Sequence, residues 1–307
     1  MNSNHRQLAF LALILASIIW GASAAVMKIT LFTVPPFSLA LIRFGAAALL
    51  FLPLVWKNLI IKKEDLPAFL LLGLIGFTVH IPLFLFGLKL TTALNAGIIV
   101  SSVPLFTLLL ASIFLKEKIK INLVLGIILG IAGVGIIIGK DAFATGVKLS
   151  PFGDMLILTA MLLFVFYEIL SKKLFRKYSV FVVTFYSFVI GAVTFIPFAI
   201  FEFAQNPNWI NNVSQASFWG IIYGIFLSSF AAYSLWQWGL SKLSANRVGF
   251  FFYLDPVVAT IVAVILLSEV VTGPFIIGSL LIFAGLFIAE GRLPYHHPIH
   301  QLKQKSK

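Results

Sequence analysis

The 307-residue sequence contains no cysteine and little charge. The absence of cysteine excludes disulfides, thiolate metal sites and thiol catalysis. Charged residues make up only 10% of the chain, whereas a soluble domain carries about 25%. Hydrophobic residues account for 61%, so the chain lacks the polar residues needed to cover itself with a water-facing surface. We therefore expect the lipid bilayer to be its main solvent.

Ten long uncharged runs predict ten membrane-spanning helices. The first run, 8–27, contains 20 uncharged residues, which at about 1.5 Å rise per residue cross the roughly 30 Å hydrocarbon core. The first run and the triplet Ala22-Ser23-Ala24 also imitate a cleavable signal peptide, but the run is long for one. The other spans are predicted at 36–56, 67–88, 93–115, 121–139, 152–171, 178–201, 215–239, 248–268 and 274–289.

The positions of Lys and Arg predict the orientation of the chain. With the N-terminus in the cytoplasm, 17 of the 22 Lys and Arg lie in cytoplasmic segments and four in outer segments, as the positive-inside rule requires. Both termini are therefore predicted to be cytoplasmic, with 291–307 as a basic tail. The formal net charge of +12 then favours anionic membrane lipids as partners, and not nucleic acid.

The second half of the sequence resembles the first. A shift of 152 residues pairs Gly87 with Gly239, Pro104 with Pro256, Glu117 with Glu269 and Gly126 with Gly278, and a shift of 144 pairs Lys28 with Lys172. Each unit has five helices, an odd number, so the two copies must insert in opposite directions. Inverted repeats are typical of secondary transporters. We predict an all-α integral membrane fold of ten transmembrane helices in two inverted-topology five-helix repeats, 8–139 and 152–290.

Several motifs in a fixed order resemble the drug/metabolite transporter superfamily, specifically its EamA-type ten-helix carriers. They are Trp20-Gly21, Leu41-Ile42-Arg43-Phe44, Gly87-Leu88-Lys89 and Pro104-Leu105-Phe106-Thr107. The second repeat departs from the pattern, with Phe164-Val165 in place of Trp-Gly and Ser187 in place of Arg. The resemblance covers about 8–139 and 152–290. It implies export or exchange of a small organic metabolite, such as an amino acid, by alternating access, and it fixes no particular substrate.

Ionisable side chains inside the spans are candidates for function because burying them in a membrane is costly. Arg43 could bind a substrate carboxylate or an acidic side chain, or could extend to the lipid headgroups. Asp255, which precedes Pro256, could be a protonation site, an ion partner of Arg43, or a buried acid with a fixed hydrogen bond. Glu168 is a second candidate for coupling, although Lys172 four residues later also suits an ordinary helix-surface pair.

Other polar groups deep in the spans complete the predicted cavity. His80 is the only histidine within a span and could titrate near neutral pH or simply pack. Trp20, Tyr186 and Tyr233 are predicted to form the cavity wall. The predicted substrate-binding residues are Trp20, Arg43, His80, Ser101, Ser102, Tyr186, Tyr233 and Asp255. No metal site or other cofactor is predicted, because the histidine-rich tail lacks acidic or thiol partners.

The leading functional hypothesis is a secondary transporter in the cytoplasmic (inner) membrane of a bacterium, which exports a small metabolite. The sequence has no phosphate-binding loop, so ATP is not its direct energy source. Proton coupling through Asp255 and uncoupled exchange are both open. An enzyme is not expected, because there is no cysteine, no His-Glu-x-x-His motif and no acid pair on one helix. A non-transporting scaffold or receptor is the remaining alternative.

The fifth predicted helix carries a face of small residues. Gly126, Gly130 and Gly133 lie on this face, and such faces allow two helices to approach closely. Packing within the fold is the expected use. A homodimer through this face is the alternative.

Overall fold

The computed structural model describes residues 3–114, 121–143, 151–243, 248 and 250–290, and these contain helices and no strand. Six helical stretches are long and apolar enough to cross a membrane: Gln7–Thr30, Pro36–Asn58, Lys63–Leu90, Pro151–Leu174, Val180–Gln205 and Gln215–Lys242. Four shorter apolar helices cover Ala93–Thr107, Val124–Ile137, Phe251–Leu267 and Gly273–Gly285. The chain is therefore an all-helical, multi-pass membrane protein. The predicted tail, 291–307, lies outside the described residues.

The described part of the first half contains seven α-helices and one π-helical segment. The α-helices are α1 (Ser3–Thr30), α2 (Pro36–Val55), α3 (Leu66–Gly73), α4 (His80–Leu90), α5 (Ala93–Val100), α6 (Val103–Phe114) and α7 (Ile121–Phe143). The π-helical segment Leu74–Val79 joins α3 to α4 without a break. Short 3-10 turns at Trp56–Asn58 and Lys63–Asp65 lie between α2 and α3.

The described part of the second half contains six α-helices and one π-helical segment. Its α-helices are α8 (Pro151–Leu174), α9 (Val180–Gln205), α10 (Gln215–Tyr223), α11 (Ala232–Lys242), α12 (Leu254–Leu267) and α13 (Gly273–Glu290). A second π-helical segment, Gly224–Ala231, joins α10 to α11. A 3-10 turn at Phe250–Tyr253 precedes α12.

Prolines explain the two interruptions between shorter helices. Pro104 and Pro256 have no backbone N–H, so the carbonyl one turn earlier loses its helical donor. At the first interruption, the Ser101 hydroxyl donates to the Ile98 carbonyl oxygen and the Ser102 hydroxyl donates to the Ile99 carbonyl oxygen, each at 2.6 Å. At the second, the hydroxyl of Ser17 in α1 donates to the carbonyl oxygen of Phe251 at 2.8 Å. Serine hydroxyls thus add hydrogen bonds to backbone carbonyl oxygens at both interruptions, which lipid could not supply.

Two glutamates cap helices from distant parts of the chain. The Glu202 carboxylate accepts the backbone N–H groups of Phe37 at 3.0 Å and Ser38 at 2.8 Å, at the start of α2. The Glu269 carboxylate accepts those of Ala93 and Leu94, both at 2.8 Å, at the start of α5. Helix N-termini favour negative charge and leave N–H groups unpaired. These contacts give both acids a structural role.

Helices α7 and α13 pack through their glycines. A Cβ on Gly133 would lie 2.5 Å from the carbonyl oxygen of Gly278, and a Cβ on Gly278 would lie 2.7 Å from that of Gly133. A Cβ on Gly285 would likewise lie 2.5 Å from the carbonyl oxygen of Gly126. The backbones meet at a distance that only glycine permits, so this part of the small-residue face serves packing within the fold.

The loop after α8 is fastened to the connection between α2 and α3. Lys177 Nζ forms a 2.6 Å salt bridge with Asp65 Oδ1, and the Tyr178 hydroxyl donates to Asp65 Oδ2 at 2.7 Å. The hydrogen bond to Asp65 raises the pKa of Lys177 above its ordinary value. Lys172, at the end of α8, lies at the same end of the bundle, which we call the Lys172 face. Asp154, at the start of α8, lies at the opposite end together with Lys28; this is the Lys28 face.

Candidate functional site

A partly open cavity of about 90 Å³ lies where α1, α2, α4, α5, α8, the second π-helical segment, α11 and α12 meet. Most of the lining is apolar. The polar and aromatic side chains that line it are Trp20, Ser23, Arg43, His80, Phe84, Phe164, Ser228, Tyr233, Phe252 and Asp255.

Arg43 projects from α2 toward the second π-helical segment. Its Nη2 donates to the hydroxyl oxygens of Ser228 at 3.1 Å and Ser229 at 3.3 Å, while its Nε has no partner. A Cβ on Gly224 would lie 2.9 Å from Arg43 Cδ, so the glycine makes room for the arginine stem. The side chain is only 5% exposed, and no described carboxylate lies within salt-bridge distance. Its charge therefore lacks a counter-ion.

Asp255 lies in the first turn of α12, where the helix N-terminus favours a negative charge. It is 3% exposed, and its Oδ1 has no hydrogen-bond partner in the described structure. Helix α1 packs closely against this turn at Gly21, because a Cβ on Gly21 would lie only 2.8 Å from the Asp255 carbonyl oxygen. Asp255 and Arg43 line the same cavity but form no salt bridge with each other. The ion pair that the sequence suggested between them is absent.

His80 supplies a third polar group to the cavity. It begins α4, and its Nδ1 lies 2.9 Å from the Gly76 carbonyl oxygen in the preceding π-helical segment. The ring is 4% exposed and its Nε2 has no partner. Its ring centroid lies 5.5 Å from that of Phe164. One ring nitrogen is therefore fixed by the backbone while the other is left for a ligand or water.

Aromatic rings form the wall between these polar groups. The Trp20 ring centroid lies 5.0 Å from that of Tyr233, 5.1 Å from that of Trp236 and 5.9 Å from that of Phe164. Trp20 Nε1 donates to the Ser228 carbonyl oxygen at 3.0 Å. Contacts of this kind favour particular ring orientations, so these rings hold one another in place along the cavity wall. We call the rings of Trp20, Phe164, Tyr233 and Trp236 the aromatic layer.

Four of the residues singled out in the sequence lie outside this cavity. Ser101 and Ser102 bond to their own helix turn, as described above. The Tyr186 hydroxyl donates to the Leu59 carbonyl oxygen at 2.5 Å. Glu168 is 5% exposed and accepts a 2.5 Å hydrogen bond from Trp236 Nε1. It is therefore a buried group, and the interpretation of Glu168 as a helix-surface pair is wrong.

Sequence reasoning missed a buried acid near the Lys28 face. Asp154 is fully buried, and its carboxylate accepts hydrogen bonds from the Thr91 hydroxyl and, at 3.1 Å, from Asn95 Nδ2. Lys28 Nζ donates to the Thr91 carbonyl oxygen and lies close enough to interact electrostatically with Asp154 and Glu269. In the sequence, Asp154 follows Pro-Phe-Gly at the start of a predicted span, where acidic residues commonly mark the end of a membrane-spanning helix. Its burial could therefore not be predicted.

Lys28 and Lys172 make equivalent contacts at opposite ends of the bundle. Each amine donates to two carbonyl oxygens at the C-terminal end of a helix, where a cation is favourable. The acceptors are Leu88 O at 3.0 Å and Thr91 O for Lys28, and Leu240 O at 3.3 Å and Leu243 O for Lys172. Both lysines therefore bind helix C-termini.

The cavity has the chemistry of a binding site for a small polar molecule. Among the described residues, it offers a cation without a counter-ion, a carboxyl with one oxygen unpartnered, and an imidazole nitrogen between aromatic rings. Within the described ranges, no three His, Asp or Glu side chains converge as a metal site would require. Groups that bind charge without a nucleophile–base pair suit recognition and release of a cargo.

Comparisons with known proteins agree with a transporter. Residues 7–139 and 151–290 each match the EamA-like transporter family. An uncharacterized transporter of Bacillus subtilis, YyaM, is 30% identical over 93% of this chain and 95% of its own length. A probable amino-acid metabolite efflux pump of Salmonella typhimurium is 27% identical over 92% of this chain and 94% of its own.

One solved crystal structure has a similar fold. It superposes with a TM-score of 0.65 at 19% identity, and the similarity covers 94% of this chain and 97% of that chain. The family match and the relatives point to transport and not to enzymatic catalysis, in agreement with the membrane-spanning helices. The chain is thus a multi-pass membrane transporter that belongs to the EamA-like transporter family.

Proposed function

We propose that the protein exports small zwitterionic metabolites, amino acids or closely related compounds, across the cytoplasmic membrane. The observation that carries this proposal is the cavity shared by Arg43 and Asp255. Each has a polar atom without a partner, and the two do not neutralise each other. A free amino acid carries one carboxylate and one ammonium group, so it can pair with both.

The cost of burial supports a charged cargo over a neutral one. An unpaired charge in the interior of a membrane protein is destabilising, and such charges are retained chiefly where they serve function. Arg43 and Asp255 are at least 95% buried. A bound zwitterion would supply a counter-charge to both at once, while a neutral cargo would leave both unpaired. The relative described as an amino-acid metabolite efflux pump supports the same cargo class and an outward direction.

The mechanism we propose is alternating access between two inverted repeats. Several paired features support it: the two matches to one family, the equivalent contacts of Lys28 and Lys172, and the two π-helical segments, which overlap when the chain is shifted by 152 residues. Two copies in opposite orientation can exchange conformations, and that exchange moves the opening of the cavity from one side to the other.

Transport by the purified protein tests this function. Liposomes containing the full chain are loaded with tritiated threonine, leucine, phenylalanine, lysine or glutamate, and release is followed after dilution. We expect saturable release of at least one zwitterionic amino acid, well above that from protein-free liposomes. Release indistinguishable from the protein-free control for every amino acid would contradict the proposal.

A further inference from the structure

A second polar cluster lies beyond the aromatic layer, on the side of the Lys172 face. Gln237 follows Tyr233 by four residues in α11, and Tyr167 follows Phe164 by three residues in α8. Each therefore lies about one helical turn, roughly 5.4 Å, beyond a ring that lines the cavity. Ser171 in α8 and Ser187 in α9 lie beside the Tyr167 hydroxyl, as does Gln237. We call these four residues the Tyr167 cluster.

The polar atoms of the Tyr167 cluster lie within reach of one another but are poorly aligned for hydrogen bonds among themselves. Tyr167, Ser171, Ser187 and Gln237 are each 0% exposed. The Tyr167 hydroxyl, Ser171 Oγ and both polar atoms of the Gln237 amide lack a hydrogen bond of acceptable geometry to any described residue. Unpaired polar groups are costly in a membrane interior and are rare in native structures. Four such atoms in one place leave hydrogen-bonding capacity that another polar molecule could use.

The repeat relates the Tyr167 cluster to the Arg43 site. The shift of 144 residues that pairs Lys28 with Lys172 also pairs Ser23 with Tyr167 and Arg43 with Ser187, and the shift of 152 pairs Gly76 with Ser228. The contacts follow the same pairing. Ser23 Oγ lies 3.0 Å from Ser228 Oγ, and Tyr167 packs so tightly on Gly76 that a Cβ there would lie 2.2 Å from the tyrosine ring.

We propose that the Tyr167 cluster is a second cargo subsite, which opens to the Lys172 face when the cavity at Arg43 closes. This inference rests on the proposed function and adds a site to it. The cluster has Ser187 in place of arginine and itself presents neutral hydroxyl and amide groups to the cargo, with the buried Glu168 carboxyl nearby. It therefore takes the hydrogen-bonding groups of a polar metabolite without an ionic clamp. The cargo is held by charge on one side of the aromatic layer and by neutral hydrogen bonds on the other.

Cysteine accessibility tests the proposal directly, because the natural chain has no cysteine of its own. Single variants Gln237→Cys and Ser171→Cys are treated in sealed vesicles of either orientation with a membrane-impermeant cationic methanethiosulfonate. Glu64→Cys, at an exposed position beside Asp65, identifies the Lys172 face. We expect both cluster variants to react from that face at least about tenfold faster than Ala160→Cys, a position on α8 with 0% exposure that stays packed.

The outcomes separate this proposal from the proposed function. Labelling needs no substrate, and denaturation in detergent before labelling confirms that each thiol is present and reactive. Failure of both cluster variants to react from the Lys172 face, or reaction only from the Lys28 face, overturns the second subsite even if transport is observed. If both cluster variants react as expected but no amino acid is released from liposomes, the proposed cargo is wrong, while an opening of the Tyr167 cluster to the Lys172 face is supported.

A transport variant provides the second measurement. With an amino acid that the liposome assay shows to be released, Gln237→Leu should slow release about 5- to 10-fold, the effect of losing about one hydrogen bond to the cargo. Thr184→Val is the matched control, since the Thr184 hydroxyl is buried but already bonded to the Val180 carbonyl oxygen at 2.9 Å. Equal rates for the two variants would contradict contact between Gln237 and the cargo.

Discussion

Arg43 shows how a single buried side chain can define a site. Two serine hydroxyls bind its Nη2, and Gly224 clears space for its stem, but Nε is left unpaired. Hydroxyl groups orient a guanidinium without neutralising it. The full positive charge therefore remains available to a carboxylate, for which the planar guanidinium is well suited.

We predict that Arg43→Met reduces amino-acid release at least about 10-fold, because a charge-assisted hydrogen bond contributes about 1.5–3 kcal/mol. Expression and thermal stability should be retained, since methionine fills much of the same space without a buried charge. Initial release rates from liposomes measure the effect. Arg176→Met, which removes an exposed arginine, is the control, and equal rates for the two variants would show that Arg43 does not contact the cargo.

Asp255 permits a separate prediction about energy coupling. Asp255→Asn keeps the shape of the side chain and removes its charge and its capacity to carry a proton. We expect release by the unmodified chain to change when a pH gradient is imposed across the liposome, and release by Asp255→Asn to be insensitive to it. A gradient that leaves the unmodified chain unaffected would favour uncoupled exchange instead.

Sequence reasoning found the ionisable part of the cavity and missed most of its hydrogen-bonding part. Arg43, Asp255 and His80 stand out because ionisable residues are rare inside apolar spans. Ser23 and Ser228 do not stand out, because serine occurs throughout the sequence and these spans show little difference between their faces. A residue count gives depth in the membrane but not direction, which is why Tyr186 was predicted to line a cavity that it does not reach.

At the scale of helices, the glycine contact between α7 and α13 fixes how closely the two helices approach. Gly133 and Gly278 face each other so closely that a Cβ on either one would meet backbone, which has no rotamer by which to move away. Gly135, on the same helix as Gly133, is exposed, and a Cβ there would have no neighbouring atom within 4 Å. The two glycines of α7 thus form a natural pair for comparison.

We predict that Gly133→Leu destabilises the protein by about 1–3 kcal/mol, the usual cost of overpacking a tight contact, and lowers its melting temperature by several degrees. Gly135→Leu should leave the melting temperature nearly unchanged. Thermal unfolding of the purified protein in detergent measures both. Similar melting temperatures for the two variants would show that the α7–α13 contact adapts easily. A homodimer, which the sequence also allowed through the small-residue face, stays a prediction.

The π-helical segments could not have been predicted from the sequence. Hydrophobic runs of sufficient length predict the spans well, and six of them are long membrane-spanning helices in the structure. Whether a π-helical segment forms depends instead on tertiary contacts that stabilise the widened turn. Leu74–Val79 supplies the carbonyl that holds His80, and Gly224–Ala231 supplies the serines that hold Arg43. π-Helical turns are frequent at functional sites, which agrees with both positions.

At the scale of the whole molecule, the inverted-repeat architecture depends on which face each connection occupies. The distribution of Lys and Arg predicts that the Lys172 face is cytoplasmic. Glu64 and Asn211 are exposed positions in connections that the prediction assigns to opposite faces. We expect Glu64→Cys to react with an impermeant thiol reagent only from the cytoplasmic side, and Asn211→Cys only from outside.

The result decides between two arrangements of the same helices. With an odd number of spans per repeat, the halves are inverted, so equivalent lysines lie at opposite faces and one central cavity can open to either side in turn. An even number would place the halves in parallel, and equivalent residues would share a face. Reaction of Glu64→Cys and Asn211→Cys from the same side would contradict inversion. It would also remove the physical basis for pairing the Arg43 site with the Tyr167 cluster, because the two would no longer face opposite compartments.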